Sequence, residues 1–133
     1  MPDADQYIHA VTYLVRDYDE AIAWFVEKLG FTVACNEELG EGKRWVLVSA
    51  GGGSSFHLLL AKADGTDQRE AIGKAAGGRV AFFLKCRDFS QTHARMLSAG
   101  VDFIERPRHE TYGTVAVFSD FYGNKWDLIE PAR

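Results

Sequence analysis

Two polar side chains that could do chemistry occupy equivalent places in the chain. Residues 44–61 superpose without a gap on residues 114–131, and this alignment places His57 on Asp127. An imidazole beside a carboxylate can act as a general base or can clamp a polar ligand, with the carboxylate orienting the ring. His57 and Asp127 are therefore our candidate catalytic pair, and we expect both to contact a ligand. The alternative is that they only hydrogen-bond to each other or to water.

No second catalytic motif accompanies this pair in the sequence. The Gly51-Gly52-Gly53 run lacks the GxxxxGK[ST] spacing of a phosphate-binding loop, and no helix is predicted to follow it. Cys35 and Cys86 have no CxxC spacing, so we interpret them as reduced, packed thiols. The residue types thus offer neither a phosphate site nor a cysteine nucleophile.

The composition excludes several classes of partner. The chain has 133 residues, 47% of them hydrophobic and 26% charged, with a net charge of −4. We expect a single domain, 1–133, with no electrostatic footprint for nucleic acid or an anionic membrane. No apolar run approaches the roughly 20 residues that cross a bilayer. The start, MPDADQY, lacks the basic and apolar regions of a secretory signal, so we expect a cytoplasmic protein.

Each half of the chain has the pattern of a strand, a helix and three more strands. Asp17 with Glu20, and Asp88 with Gln91, match the capping box that begins a helix, and Gly30 is placed to end the first helix. The predicted apolar helix stripes are Ile22, Phe25, Val26 and Leu29, and then Phe89, Met96 and Leu97. The predicted strands are 8–15, 31–38, 44–49, 55–61, 79–86, 101–106, 114–118 and 125–129.

These elements form two similar modules. Module one covers about residues 6–61, a linker with one short helix covers about 62–78, and module two covers about 79–131. Neither module could bury its sheet face well alone, so we interpret the two as parts of one domain.

Two longer segments resemble signatures of the vicinal oxygen chelate superfamily, which includes glyoxalase I, bleomycin-resistance proteins and extradiol dioxygenases. VRDYDEAIAWFVEKLGF (15–31) is similar to its strand-end, helix and LGF signature. FSDFYGNKWDLIEP (118–131) is similar to its FxDPxGNxxxLxEP ending, with Phe121 where the family usually has proline. The resemblance implies an α+β fold in which two paired βαβββ modules form a U-shaped mixed sheet around a cavity, within a homodimer. It implies less about chemistry, because this fold hosts isomerases, dioxygenases, transferases and binding proteins.

The resemblance also locates where a metal would bind. Metal-dependent relatives place a His, Gln or Glu ligand on the first and the last strand of each module. Carried over to this chain, the last-strand positions are His57 and Asp127, but the first-strand positions are Ala10 and Ala81. Methyl groups cannot coordinate an ion, so we predict a site without a metal cofactor.

His9 leaves a metal-dependent alternative open. Neighbouring side chains of a strand point to opposite faces, so a regular strand turns His9 away from Ala10 and the cavity. A bulge or a different register would bring His9 beside His57 and Asp127. Those three residues could hold a divalent metal (Fe, Ni, Mn or Zn) in a lyase or a dioxygenase.

Strand alternation also predicts which side chains line the cavity. The predicted ligand-binding residues on the strands, besides His57 and Asp127, are Ala10, Thr12, Leu14, Ser55, Leu59, Ala81, Phe83, Lys85, Lys125 and Ile129. Trp45 and Tyr112, near strand starts, could stack on a flat ligand at the cavity mouth. Lys85 could pair with Asp127 or attract an anionic ligand, or could simply be exposed. The same alternation places Trp126 on the opposite face, packed under a helix.

This surface of apolar walls and a few polar groups is typical of a small-molecule pocket. The sequence therefore predicts a protein that binds a small organic molecule in the sheet cavity without a metal. One alternative is the metal-dependent lyase or dioxygenase that uses His9, His57 and Asp127. The other is metal-free acid–base catalysis by His57 and Asp127.

Overall fold

Each half of the chain folds as an α-helix on one face of a mixed β-sheet. The computed structural model describes residues 5–51 and 56–133 and divides into two units, Met1–Arg69 and Glu70–Arg133. The predicted α+β class is confirmed. Among the described residues, no helix is long and apolar enough to span a membrane.

The first unit contains one strand, one helix and three further strands. Its elements are β1 (Ala10–Val15), α1 (Tyr18–Leu29), β2 (Thr32–Gly40), β3 (Lys43–Ser49) and β4 (His57–Lys62). The sheet order is β1-β4-β3-β2, in which β1 and β4 are parallel and the other pairs are antiparallel. A short helix, α2 (Thr66–Ala71), lies in the predicted linker and contains the boundary between the two units.

The second unit repeats this order with one additional short strand. Its elements are β5 (Val80–Lys85), α3 (Phe89–Ser98), β6 (Asp102–Phe103), β7 (Arg108–Glu110), β8 (Gly113–Ser119) and β9 (Lys125–Pro131). The sheet order is β5-β9-β8-β6, with β7 also paired to β8, and β5 and β9 are parallel. The predicted strand 101–106 is reduced to the two residues of β6, and β7 was not predicted.

The helices begin where the capping pattern predicts. The Asp17 carboxylate accepts the backbone N–H of Glu20 (2.9 Å), and the Asp88 carboxylate accepts that of Gln91 (3.1 Å). Gly30 ends α1 in the left-handed conformation, with φ of 70°. Capping satisfies backbone donors that have no partner within the helix, and therefore fixes where each helix starts.

The buried stripes of the helices are narrower than predicted. In α1, Tyr18, Ala21, Phe25 and Leu29 are buried, whereas Val26 is 41% exposed. In α3, Phe89 and Met96 are buried and Leu97 is 50% exposed. The prediction was wrong for Val26 and Leu97, because these residues lie beside the stripe that contacts the sheet rather than on it.

In both sheets the helix covers one face only. Tyr13 and Val15 of β1 are buried with Leu58 and Leu60 of β4, and the Tyr13 ring contacts Phe25 of α1 at 5.3 Å. In the second sheet a chain of ring contacts links α3 to the strands through His93, Phe103, Phe118, Trp126 and Phe82. We call the opposite side of each sheet its helix-free face.

A buried carboxylate organises the turn between β8 and β9. Asp120 accepts the backbone N–H groups of Tyr122 and Asn124 (3.0 and 2.9 Å), the Asn124 amide (3.2 Å) and the Trp126 indole N–H (2.9 Å). Asn124 in turn accepts the backbone N–H of Ala75 (3.0 Å). Trp126 is buried, as predicted, on the face that α3 covers.

Gly73 packs directly against this turn, and its replacement is the first test. A Cβ at Gly73 would collide with the Tyr122 carbonyl oxygen, whereas a Cβ at Gly77 would meet nothing, although both glycines have positive φ (79° and 61°). We expect Gly77→Ala to cost roughly 1 kcal/mol of unfolding free energy from backbone strain alone. Gly73→Ala should cost more than about 2 kcal/mol, because the backbone of the turn must also move. Urea unfolding of the two variants measures the difference, and equal destabilisation would contradict the collision.

Candidate functional site

The helix-free face of the first sheet brings together most of the predicted residues of module one. The parallel register of β1 and β4 sets Ala10 beside His57 and Thr12 beside Leu59. These residues are half-buried or exposed, whereas their strand neighbours Tyr13 and Leu58 are buried. Leu14 lies on the same face beside Ala61. Ser55 lies outside the described residues.

His9 does not point away from His57, contrary to the prediction from strand alternation. Regular pairing begins at Ala10, so His9 lies just outside β1 and the alternation rule does not reach it. The ring centroids of His9 and His57 are 4.8 Å apart at 51°, and the His9 carbonyl accepts the backbone N–H of His57 (3.0 Å). One of the two grounds for a metal-free site, the orientation of His9, is therefore removed.

The other ground concerns the ligand set. The resemblance implies ligands at four positions, and the residues present do not fit that set, because Ala10 and Ala81 have no lone pairs. Within residues 5–51 and 56–133, no group of three His, Cys, Asp or Glu side chains is arranged to hold an ion.

A groove at one end of the first sheet contains the predicted aromatic residue Trp45. The groove has a volume of about 240 Å³, and Trp45, Leu59 and Ala61 contribute to its wall. Trp45 is 41% exposed and lies on the helix-free face, two residues from Leu47, which pairs with Leu59. An exposed indole beside aliphatic side chains can cover one side of a flat ligand.

Arg44, at the same groove, is held by the protein itself. Its guanidinium donates to both oxygens of Asp19 (2.9 and 3.0 Å) and lies 4.9 Å from the centre of the Tyr18 ring. The hydrogen bond from Arg44 lowers the pKa of Asp19. Arg44 therefore ties β3 to the start of α1.

The helix-free face of the second sheet carries the predicted residues of module two. In the register, Phe83 lies beside Asp127, Lys85 beside Ile129, and Val117 beside Asp127 on its other side. Phe83 is 67% exposed. A register shift lies between Val80 and Phe82, so Lys125 pairs with Val80 and not with Ala81. Ala81 is half-buried at this irregularity and is not aligned with the regular rows of the sheet.

Asp127 is the exceptional residue of this face. Its Oδ1 is the one buried side-chain nitrogen or oxygen atom without a hydrogen-bond partner among the described residues. Leaving a buried acceptor unpaired costs roughly 1–3 kcal/mol, so such atoms are rare and call for an explanation. Burial raises the pKa of this carboxyl, while Arg108 opposes the shift and Glu105 adds to it. A carboxyl perturbed in this way is a candidate functional group.

Arg108 is near this carboxylate, but its hydrogen bonds go elsewhere. Its Nε donates to Glu105 and its Nη1 to Glu110, both at 3.0 Å. Hydrogen bonds to Glu105, Tyr112 and Glu110 hold the pKa of this guanidinium above its ordinary value. Sequence reasoning missed Arg108 and Glu105, because the strand that positions Arg108 was not predicted.

The remaining two predicted residues have protein partners. Lys125 donates from Nζ to the carbonyl oxygen of Gly78 (3.1 Å), which fixes its side chain along the strand. Tyr112 is 53% exposed in the turn before β8, where its hydroxyl interacts with Arg108 and its carbonyl accepts the Ala132 N–H.

Comparison with known proteins decides the family. The model of the Glyoxalase/Bleomycin resistance protein/Dioxygenase superfamily matches residues 7–128. The chain belongs to this superfamily. An uncharacterized protein of Shewanella frigidimarina (strain NCIMB 400) is 44% identical over 94% of this chain and 93% of its own length.

Two solved structures are similar to this superfamily member along almost its whole length. UcmS2 is 31% identical with a TM-score of 0.81, over 95% of this chain and 98% of its own. TnmS3 from Streptomyces sp. CB03234, described as an antibiotic binding protein, is 25% identical with a TM-score of 0.79, over 98% and 100%. The sequence-based recognition of the family is thereby confirmed.

The raised pKa of Asp127 predicts a specific pH dependence of stability. The folded chain holds the Asp127 proton to a higher pH than the unfolded chain, so this group favours folding at low pH. That contribution is lost as the pH rises through the folded-state pKa. Asp127→Asn removes this titrating group. We therefore expect the unfolding free energy of the variant, minus that of wild type, to increase from acidic to neutral pH.

Urea unfolding at several pH values measures this difference. Val46→Ala, at a fully buried residue of β3 in the first unit, is the control and should lower stability by the same amount at each pH. A difference between Asp127→Asn and wild type that does not change with pH would contradict the assignment.

Proposed function

We propose that the protein binds a small organic molecule on the helix-free faces of its sheets, without a metal ion. The observation that carries this proposal is that each face exposes an aromatic side chain, Trp45 on the first and Phe83 on the second. Exposed aromatic surface beside a few polar groups is what small-molecule sites present to a ligand. His57 on the first face and Asp127 on the second are the polar groups that would orient a ligand of each face.

The chemistry of the first strands supports a site without a metal. Neither Ala10 nor Ala81 can coordinate an ion, and the methyl group of Ala10 contributes only apolar contact area to the first face. Ala10 lies directly beside His57 in the register of β1 and β4, so an apolar ligand atom at Ala10 is within reach of the imidazole.

The similarity to TnmS3 supports the same proposal. That protein is described as binding an antibiotic, and the two chains align over nearly their full lengths. We extend to this chain only the general property, binding of an organic compound. The proposal includes a homodimer, as the fold resemblance implies, and a cytoplasmic location.

A ligand screen with a double variant tests the proposed surface. We expect compounds with flat apolar bodies to raise the melting temperature of the wild-type protein, because they bind the folded chain. Replacement of both exposed aromatic residues, Trp45→Ala with Phe83→Ala, should weaken each hit at least tenfold in isothermal titration calorimetry. The matched control, Val26→Ala with Leu97→Ala, removes one exposed apolar side chain per unit from the helices and should leave affinity unchanged. If each compound bound the two double variants with the same affinity, its binding site would lie elsewhere on the protein.

A metal-dependent lyase or dioxygenase is the second candidate function. The observation that favours it is the contact between the His9 and His57 rings, because two imidazoles side by side are common in transition-metal sites. In the hypothesis drawn from the sequence, Asp127 is the third ligand.

Elemental analysis of the purified protein separates the two functions. We expect less than stoichiometric Fe, Ni, Mn and Zn in the wild-type protein, and the same result for His57→Ala and Asp127→Ala. A stoichiometric metal in wild type that is lost in both variants would replace the proposed function with the metal-dependent one.

A further inference from the structure

Nearby donors do not satisfy the buried Oδ1 of Asp127. The guanidinium of Arg108 donates to Glu105 and Glu110, and the Lys125 ammonium donates to the Gly78 carbonyl. In a folded chain, buried polar groups are almost always paired with protein, water or ligand. Oδ1 itself is enclosed, but Asp127 as a residue is only half-buried, so a group from outside the chain can reach its carboxylate.

The strand neighbours of Asp127 are apolar. Phe83 lies beside it in β5 and Val117 beside it in β8, all on the helix-free face. Phe83 is 67% exposed, so one side of its ring can be covered by a planar molecule. A ligand that covers this ring brings its edge towards the carboxylate in the adjacent strand, since paired residues of neighbouring strands lie about 5 Å apart.

The charges of the same face argue against a cationic ligand. Lys125 is two residues from Asp127 in β9, and Lys85 is two residues from Phe83 in β5, so alternation places both ammonium groups on the side of the carboxylate. Arg108 and Glu105, which also act on Asp127, carry opposite charges, so a ligand ammonium on Phe83 would still meet the two like-charged lysines. A hydroxyl or amide group supplies a hydrogen to the Asp127 carboxylate without adding a charge.

We infer that the ligand class is a neutral planar aromatic compound that carries a hydroxyl or N–H group, which donates to the Asp127 carboxylate while the ring covers Phe83. This inference rests on the proposed function and adds the chemistry of the ligand to it. A hydrogen bond to a charged acceptor is stronger than one between neutral groups. This hydrogen bond therefore contributes to the selectivity of binding as well as to its affinity.

Three naphthalene probes of nearly equal size test the inference. We expect 2-naphthol to bind the full-length wild-type protein at least tenfold more tightly than 2-methoxynaphthalene, whose oxygen has no hydrogen to donate. 2-(Aminomethyl)naphthalene, a cation at neutral pH, should also bind more weakly than 2-naphthol. Isothermal titration calorimetry gives the three affinities.

Variants at Asp127 isolate the interaction from any structural role. Asp127→Leu keeps a side chain of similar shape without an acceptor, and Asp127→Ala is the smaller second variant. If Asp127 had only a structural role, its replacement would weaken the binding of 2-naphthol and of 2-methoxynaphthalene alike. If Asp127 accepts the proposed hydrogen bond, the tenfold preference for 2-naphthol disappears in both variants. Ser119→Ala, on the same face of β8, should retain the preference.

The outcomes separate this inference from the proposed function. Equal binding of naphthol and its methyl ether to wild type, a preference that survives Asp127→Leu, or tighter binding of the amine would each overturn the inference while leaving small-molecule binding in place. Failure of naphthol to bind at all also overturns it. The proposed function fails only when no compound of the wider screen binds the wild-type protein.

Discussion

The hydrogen bonds of the buried Asp120 carboxylate determine which face of the second sheet carries Asp127. This carboxylate accepts the Trp126 indole N–H and the backbone of the turn before β9, so it holds the indole in the core. Trp126 and Asp127 are adjacent in the strand, and adjacent side chains point to opposite faces. Fixing the indole on the helix side therefore fixes the Asp127 carboxylate on the helix-free side.

The same segment contains three carboxylates with different tasks. Asp120 is saturated with donors, and the Glu130 Oε1 accepts the backbone N–H of Phe89 at the start of α3 (2.8 Å). Asp127, between them in sequence, keeps an unpaired oxygen. The FSDFYGNKWDLIEP segment thus builds the fold with its flanking acids, whereas the middle acid has no such structural hydrogen bond at Oδ1. This explains why the segment identifies the superfamily but not the chemistry.

Much of the fold could be predicted from the sequence because its signals are local. The Asp17 and Asp88 caps and the alternation of β9 depend on residues within a few positions, and the structure agrees with them. The exact start of β1 depends on where pairing with β4 begins, so the contact of His9 with His57 could not be read from residue types. The register shift at Ala81 and the pairing of β7 are likewise set by partner strands, which is why the neighbours of Asp127 were predicted only in part.

The parallel pairing of the outer elements in each unit has a consequence for how the chain folds. In the first unit β1 pairs with β4, and in the second β5 pairs with β9, so each pair joins the first strand of a unit to its last. The helix and the antiparallel strands between them form from contacts of short sequence separation, whereas closing the parallel pair requires the whole intervening segment to be ordered or looped out. The row that contains His57 and the row that contains Asp127 therefore depend on contacts of long sequence separation, and each helix-free face is complete only when its unit has closed.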